Sequence, residues 1–142
     1  MIARAGGRSC ALPIALVIET MRPLPVSPIA GAPPAVLGVS MIRGAPTVVV
    51  AVARLLADHV PPPGRFVTVR IGADRTIALA FDAVIGIRTL ARSELQPLPP
   101  LLGDAPAIGE VAALDAELVY ALRAGQLVPD ELVERVAREA EA

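Results

Sequence analysis

The sequence predicts a mainly β protein, an all-β barrel architecture followed by one C-terminal α-helix. Three observations carry this. Short apolar runs bounded by turn formers recur at regular spacing, as strands do. The joints between them draw on the 15 prolines and 11 glycines of the 142-residue chain. Only the C-terminal segment switches to helical spacing. The hydrophobic fraction is 54% but aromatics supply only 2%, so the core must be built from Val, Ile and Leu, which suit pleated strands. A chain of this length reads as one domain, able to remove roughly two thirds of its unfolded surface from water.

In chain order, Met1 to Ser9 is a short glycine-containing stretch with Gly6-Gly7 as a turn. Ala11 to Ile18 reads as a strand, or a strand followed by a short helical turn, ending at Glu19. Met21 to Pro34 carries Pro23, Pro25, Pro28, Pro33 and Pro34; fixed φ and missing donors make it an extended connection across the barrel surface. Val36 to Arg43 and Thr47 to Val52 form a hairpin joined by Gly44-Ala45-Pro46, with Pro46 demoting the start of the second strand. Ala53 to Ala57 closes with a helical turn. Asp58 to Gly64, with Pro61-Pro62-Pro63, is the clearest internal break.

Arg65 to Ile71 alternates as a half-buried strand would. Gly72-Ala73-Asp74-Arg75 turns it back into Thr76 to Phe81, and Ala83 to Ile87 is a further strand. Arg92 to Gln96 reads as a turn of helix, Pro97 to Pro106 as irregular. Ile108 to Leu114 and Glu117 to Leu122 make a last hairpin around Asp115-Ala116. Pro129 suits a first helical position, with Asp130 and Glu131 in the first turn. Leu132, Val133, Val136, Ala137 and Ala140 form an apolar stripe at helical spacing. Glu131–Arg135 and Glu134–Arg138 fall in the favoured i,i+4 order.

Composition excludes several functions. All 13 basic residues are arginine and the formal net charge is −1, which leaves no electrostatic footprint for nucleic acid. The single Cys10 rules out an internal disulfide framework and fits a reducing compartment. Arg4 and Arg8 before the apolar run Cys10 to Ile18 loosely mimic a signal peptide, but Pro13 and Glu19 interrupt it and no cleavage pattern follows. No apolar stretch approaches the ~18 residues a membrane helix needs. A cytoplasmic protein without direct membrane insertion is expected.

No catalytic, cofactor-binding or metal site is expected either. The lone His59 stands beside Asp58 in a proline-flanked loop, whereas triads are assembled from distant segments; an exposed loop histidine is the simpler reading. One His and one Cys cannot build a zinc site, and no phosphate-binding glycine motif exists. Cys10, in an apolar strand candidate, reads as a buried inert thiol. Few charges and abundant Val, Leu and Ile leave open a small barrel binding an apolar ligand, for which a pocket of ~300 Å³ or more would speak.

Two charges are embedded in otherwise apolar strand-like sequence, Glu19 and Arg43. On the residues alone an intramolecular ion pair or a solvated edge is slightly favoured. The alternative is a rim charge beside an apolar contact surface, where the planar guanidinium forms bidentate bonds. The stretch from Ile29 to Gly44, Ile-Ala-Gly-Ala-Pro-Pro-Ala-Val-Leu-Gly-Val-Ser-Met-Ile-Arg-Gly, resembles the P-x-x-P-x-x-(hydrophobic)-x-G-V-x-N-x-R-G signature of CheW-like domains. Those are small scaffolds that couple bacterial chemoreceptors to their histidine kinase. Cys10 to Glu19, Thr47 to Leu56, Phe81 to Ile87 and Ser93 to Pro99 resemble further family segments, in order and at the right spacing.

The resemblance implies two SH3-like five-stranded β-barrel subdomains packed together, roughly 12–60 and 65–122 with strand exchange, and a helix at 129–141. It implies a non-enzymatic adaptor in a chemosensory system. The implied partners are the cytoplasmic tip of a methyl-accepting chemoreceptor, the regulatory domain of a CheA-type histidine kinase, or both. Receptor contact is expected in the apolar groove between the barrels and kinase contact at barrel edges. The interaction surface is expected at Glu19, Val36, Leu37, Gly38, Met41, Ile42, Arg43, Val84 and Ile87. The chain departs from the family at its short, glycine-rich start, at Ala51 in place of aspartate, and at Met41 in place of asparagine. Ala35 replaces the usual aromatic, and Arg123 falls near a second acidic position. These departures imply a divergent adaptor in which the kinase contact is the one expected to be lost.

Overall fold

The computed structural model describes residues 1–57, 59–97, 107–115 and 117–141. The proline-rich stretch expected at 98–106, Asp58, Ala116 of the last turn and the Ala140 side chain lie outside them. The strands are β1 (Ile2–Ala5), β2 (Arg8–Ala11), β3 (Val17–Met21), β4 (Val36–Ile42), β5 (Ala45–Ala51), β6 (Arg65–Ile71) and β7 (Arg75–Phe81). They continue with β8 (Ala83–Gly86), β9 (Gln96–Pro97), β10 (Ile108–Leu114) and β11 (Glu117–Leu122); helix α1 is Ala53–Leu56 and α2 is Asp130–Glu141. Single 3-10 turns occupy Ile14–Leu16, Arg92–Glu94 and Ala124–Gln126.

Two sheets form. One runs β3-β6-β7-β5-β4 and the other β8-β1-β2-β11-β10-β9. The expected pair of closed five-stranded barrels is therefore replaced, among the described residues, by five- and six-stranded sheets that keep open edges. Two of the unexpected strands come from the N-terminal stretch, and the third is β9, at Gln96–Pro97 where the sequence predicts a turn of helix ending in irregular chain. Met1 to Ser9 makes β1 and the start of β2, hinged at Gly6 and Gly7 (φ 60° and 79°), and the single strand expected from Ala11 to Ile18 is divided by the 3-10 turn. Each sheet contains one parallel pairing, β5 with β7 and β2 with β11.

One large core lies between the sheets and α2. Ala3, Cys10 and Tyr120 reach it from the six-stranded sheet, Val50, Val67, Val69 and Leu79 from the five-stranded sheet, and Leu132, Val133 and Val136 from α2. Full burial of such aliphatic side chains contributes about 1.5–3 kcal/mol each. The opposite face of the five-stranded sheet is filled as well: Ile42, Val49, Phe66, Ala78 and Ala80 form a second core, covered by Met21, Val26 and Leu37. Strand β6 is consequently buried on both faces from Phe66 to Val69, where alternation predicted a half-buried strand. Sequence pattern cannot tell a solvated face from one covered by a distant loop.

The β4–β5 hairpin turns at Arg43 and Gly44, both at positive φ (52° and 77°), as a two-residue hairpin matched to strand twist requires. The turn is thus Arg43-Gly44 rather than the expected Gly44-Ala45-Pro46, and Pro46 lies inside β5 opposite Met41. Proline fits because β7 pairs with β5 only from Val49 to Ala51, leaving the Pro46 nitrogen without a ladder to serve. Helix α2 buries Leu132, Val133 and Val136, while Ala137 is exposed. Glu134 turns outward to Arg75 on β7 at 3.2 Å; among the described residues neither of the expected helical pairs forms.

Candidate functional site

Two constructions stand out. The first joins the edges of the five-stranded sheet. Arg43, on the turn after edge strand β4, donates from Nε to Glu19 Oε1 at 3.0 Å and from Nη2 to Oε2 at 2.7 Å. Glu19 sits on the other edge strand, β3. The bidentate fork holds the Glu19 carboxyl below the usual carboxylate range, chiefly through the Arg43 hydrogen bonds, and raises the guanidinium in turn. Arg43 is 79% exposed and Glu19 26%. Arginine at positive φ is strained, so the fork holds a residue that backbone preference would release.

A second bridge accompanies it. Ser27 pairs with Val39, through mutual backbone bonds of 2.8 Å, and Ser40 Oγ donates to the Pro25 carbonyl at 2.9 Å. The proline segment that follows β3 thus runs alongside β4. Gly38 permits this: its φ is +146° and a Cβ there would land on the Ser27 carbonyl.

The second construction is an open groove of about 410 Å³ against the six-stranded sheet. It is lined by Ile2, Ala11 and Ala121, which alternate with the core residues Ala3, Cys10 and Tyr120, and is bounded at one end by Met1, Leu12 and Leu122 of the shared core. Its floor is one cross-strand row, because Ile2 pairs with Ala11, Ala11 with Ala121, and Ala121 with Glu110. Two alanines in that row leave the hollow. Leu12, Ile14, Ile87 and Leu90 supply apolar walls and Arg88, Glu110 and Arg123 the charges. Ile14 and Ile87 are 52% and 70% exposed, unusual for aliphatics that already flank a concave surface.

The nine residues expected at the interaction surface separate accordingly. Glu19 and Arg43 meet in the fork, and Met41, 61% exposed, precedes it on β4. Ile87 lines the groove, and Val84 is half-buried against the shared core. Val36 and Ile42 are buried in the two cores and Leu37 packs against the second; with Gly38 they hold the hairpin rather than present a surface. Sequence reasoning missed the groove residues Leu12, Ile14, Leu90, Ala121 and Arg123 as a set. Alternation in β2 and β11 could have found the alanine row, given the register.

Elsewhere the chemistry is quiet. The Cys10 thiol is buried, bonds the Ala3 carbonyl at 3.4 Å, and is pushed up to about 12 by burial first and the Asp82 charge second. His59 is exposed. Among the described residues no cluster of His, Cys, Asp and Glu could hold a metal ion, and no helix is long and apolar enough to cross a membrane.

The family model described as "CheW-like domain" matches residues 1–132. No curated protein matches the chain. Among solved structures, the scaffolding protein TtCheW from Thermoanaerobacter tengcongensis is similar with a TM-score of 0.74 at 18% identity, over 86% of this chain and 86% of that one. At that identity the likeness establishes the fold.

Proposed function

Because the chain belongs to the CheW-like domain family, we propose that it is a non-enzymatic adaptor of a bacterial chemosensory array, working in the cytoplasm and docking a chemoreceptor signalling tip in the alanine-floored groove of the six-stranded sheet, in place of the groove expected between two barrels. The observation that carries this is the groove itself: mainly apolar in its lining and flanked by the exposed Ile14 and Ile87. Such a surface suits an apolar segment of a larger partner, bound by modest and reversible contacts. We read the half 65–122 as lending strands to the half 12–60, since β6 and β7 complete the sheet of β3 to β5, while β1 and β2, which precede both halves, join that of β8 to β11.

We infer that the kinase contact is weakened, because the departures from the family pattern gather at the chain's start and at strand ends rather than around Glu19 and Arg43. Ala51, where the family resemblance has aspartate, is only 3% exposed, so β5 offers no carboxylate there. The short, glycine-rich start carries less weight among the departures, because β1 forms there. The groove volume also favours a second reading, an apolar small ligand, since it exceeds the ~300 Å³ such sites occupy.

Calorimetric titration with a receptor-tip fragment and, separately, with the kinase regulatory domain tests both readings. Wild type is expected to bind the tip and to bind the kinase domain weakly or not at all. Ile87→Glu should weaken tip binding at least tenfold, about 1.4 kcal/mol, and leave the fold intact. Tight binding to the kinase domain would overturn the inferred loss. Absence of tip binding, with saturable uptake of an apolar dye, would move the small-ligand reading forward.

A further inference from the structure

We propose that Arg123 is the specificity-determining residue of the groove, selecting a partner segment that carries a carboxylate beside its apolar stripe; this rests on the groove being the receptor site. The sheet builds a seat for this side chain. β10 bulges between Ile108 and Glu110, and the residue in the bulge is Gly109. A Cβ at Gly109 would collide with the Arg123 guanidinium, meeting Cζ at 3.0 Å and Nη2 at 3.1 Å. No positive φ is recorded for Gly109, so it serves space rather than conformation. Any larger residue would lift the guanidinium off the strand.

Arg123 follows the last residue of β11 and shares the alternation of Ala121, which places it at the end of the groove floor. The other lining charges differ from it. Arg88 is already engaged by Asp115 at 3.4 Å. Glu110 lines the same end of the groove, yet among the described residues it forms no ion pair with either arginine, and Arg123 makes no side-chain hydrogen bond. A flat, exposed, always-charged fork lying beside apolar walls fits a carboxylate bidentately. The position stands near one where the family resemblance has an acid, so the sign of the preferred partner is inverted at this end.

The test is the receptor-tip titration at two ionic strengths with Arg123→Glu, Arg123→Gln and Arg123→Lys, plus a tip fragment whose acids flanking the apolar stripe are changed to arginine. Arg123→Glu should weaken the native tip at least tenfold and bind the reversed tip better than wild type does; Arg123→Lys, which keeps the charge but loses the fork, should weaken the native tip by more than about threefold yet less than Arg123→Glu does. Arg123→Gln should also lose most of the salt dependence. If Ile87→Glu abolishes binding while Arg123→Glu binds the native tip like wild type, the groove reading stands and the role of Arg123 is overturned. If wild type binds no tip, both fall. Unchanged melting curves for the exposed Arg123 variants separate these outcomes from misfolding.

Discussion

In the five-stranded sheet the face turned away from the shared core is filled: Phe66, Ile42 and Val49 pack there under Met21, Val26 and Leu37. In the six-stranded sheet the corresponding face presents Ile2, Ala11 and Ala121 and is left open as a groove of about 410 Å³. The two sheets share one core and the same alternation, and each combines antiparallel ladders with a single parallel pairing. Side-chain volume at a few positions separates them. Where large residues stand, the far face becomes structure; where alanines stand, it becomes a surface available to a partner.

The sharpest way to break that comparison is to exchange the fillings. Phe66 is 1% exposed, and Phe66→Ala should destabilise by about 3–5 kcal/mol, the transfer loss plus the cavity left behind. Ala121→Leu places volume into an existing hollow, so its effect on stability should stay within about 1.5 kcal/mol of zero while tip binding falls at least tenfold. Denaturant unfolding of both variants beside the tip titration reads this out. A large stability loss in Ala121→Leu would mean that the groove floor is already packed and that the contrast between the sheets is false.

The same contrast explains what the sequence made legible. Strands β4 to β7 and the β10–β11 hairpin show in dense Val, Ile and Leu runs bounded by Gly, Asp or Pro. The Glu19–Arg43 pair shows as two charges isolated in such runs, for which the residues alone leave an ion pair, a solvated edge and a contact rim open; the structure forms the ion pair at an exposed edge. β1 is not legible because, of Ile2–Ala5, only Ile2 favours a strand, while the two alanines and Arg4 do not. The groove was hidden for a further reason: its floor joins residues from β1, β2, β10 and β11, and alanine is conspicuous only once the register is known. A signature motif does not say which alternate residue points inward, and of its residues Val36 and Ile42 are buried and Gly38 lies against Ser27.

A smaller effect sharpens the comparison from the core side. If the hollow is confined to the far face of the six-stranded sheet, the near face must be dry, and Cys10 on β2 reports on it. Its thiol is pushed up to about 12 in the folded state, against an ordinary value near 9 once unfolded. Above that ordinary value the unfolded chain has lost the proton that the folded chain keeps, so stability falls as pH rises from about 9 toward 12. The slope contributed by this group should approach about 1.4 kcal/mol per pH unit within the window. Cys10→Ala should flatten that part of the curve, and the native thiol should resist alkylation. Rapid native-state labelling would place water, and so the hollow, on both faces.

The smallest expected effect concerns how the five-stranded sheet stays curled without a closed ladder. Its edges are bridged by Ser27–Val39 and by the Glu19–Arg43 fork, and the two differ in what they ask of the backbone. Ser27–Val39 needs only Gly38, whereas the fork holds Arg43 at φ 52°. Removing the charge and relieving the strain are therefore separable. Arg43→Gln keeps the strained backbone and loses the ion pair; Arg43→Gly loses the pair but adopts positive φ freely, so Arg43→Gly should melt above Arg43→Gln. Glu19 has a lowered folded pKa, so its contribution is present above the ordinary carboxylate range and disappears as pH falls through the folded value. The melting difference between wild type and Arg43→Gln should accordingly shrink on acidification. A difference that persists at low pH would mean that the aliphatic stem of Arg43, not its charge, holds the edges together.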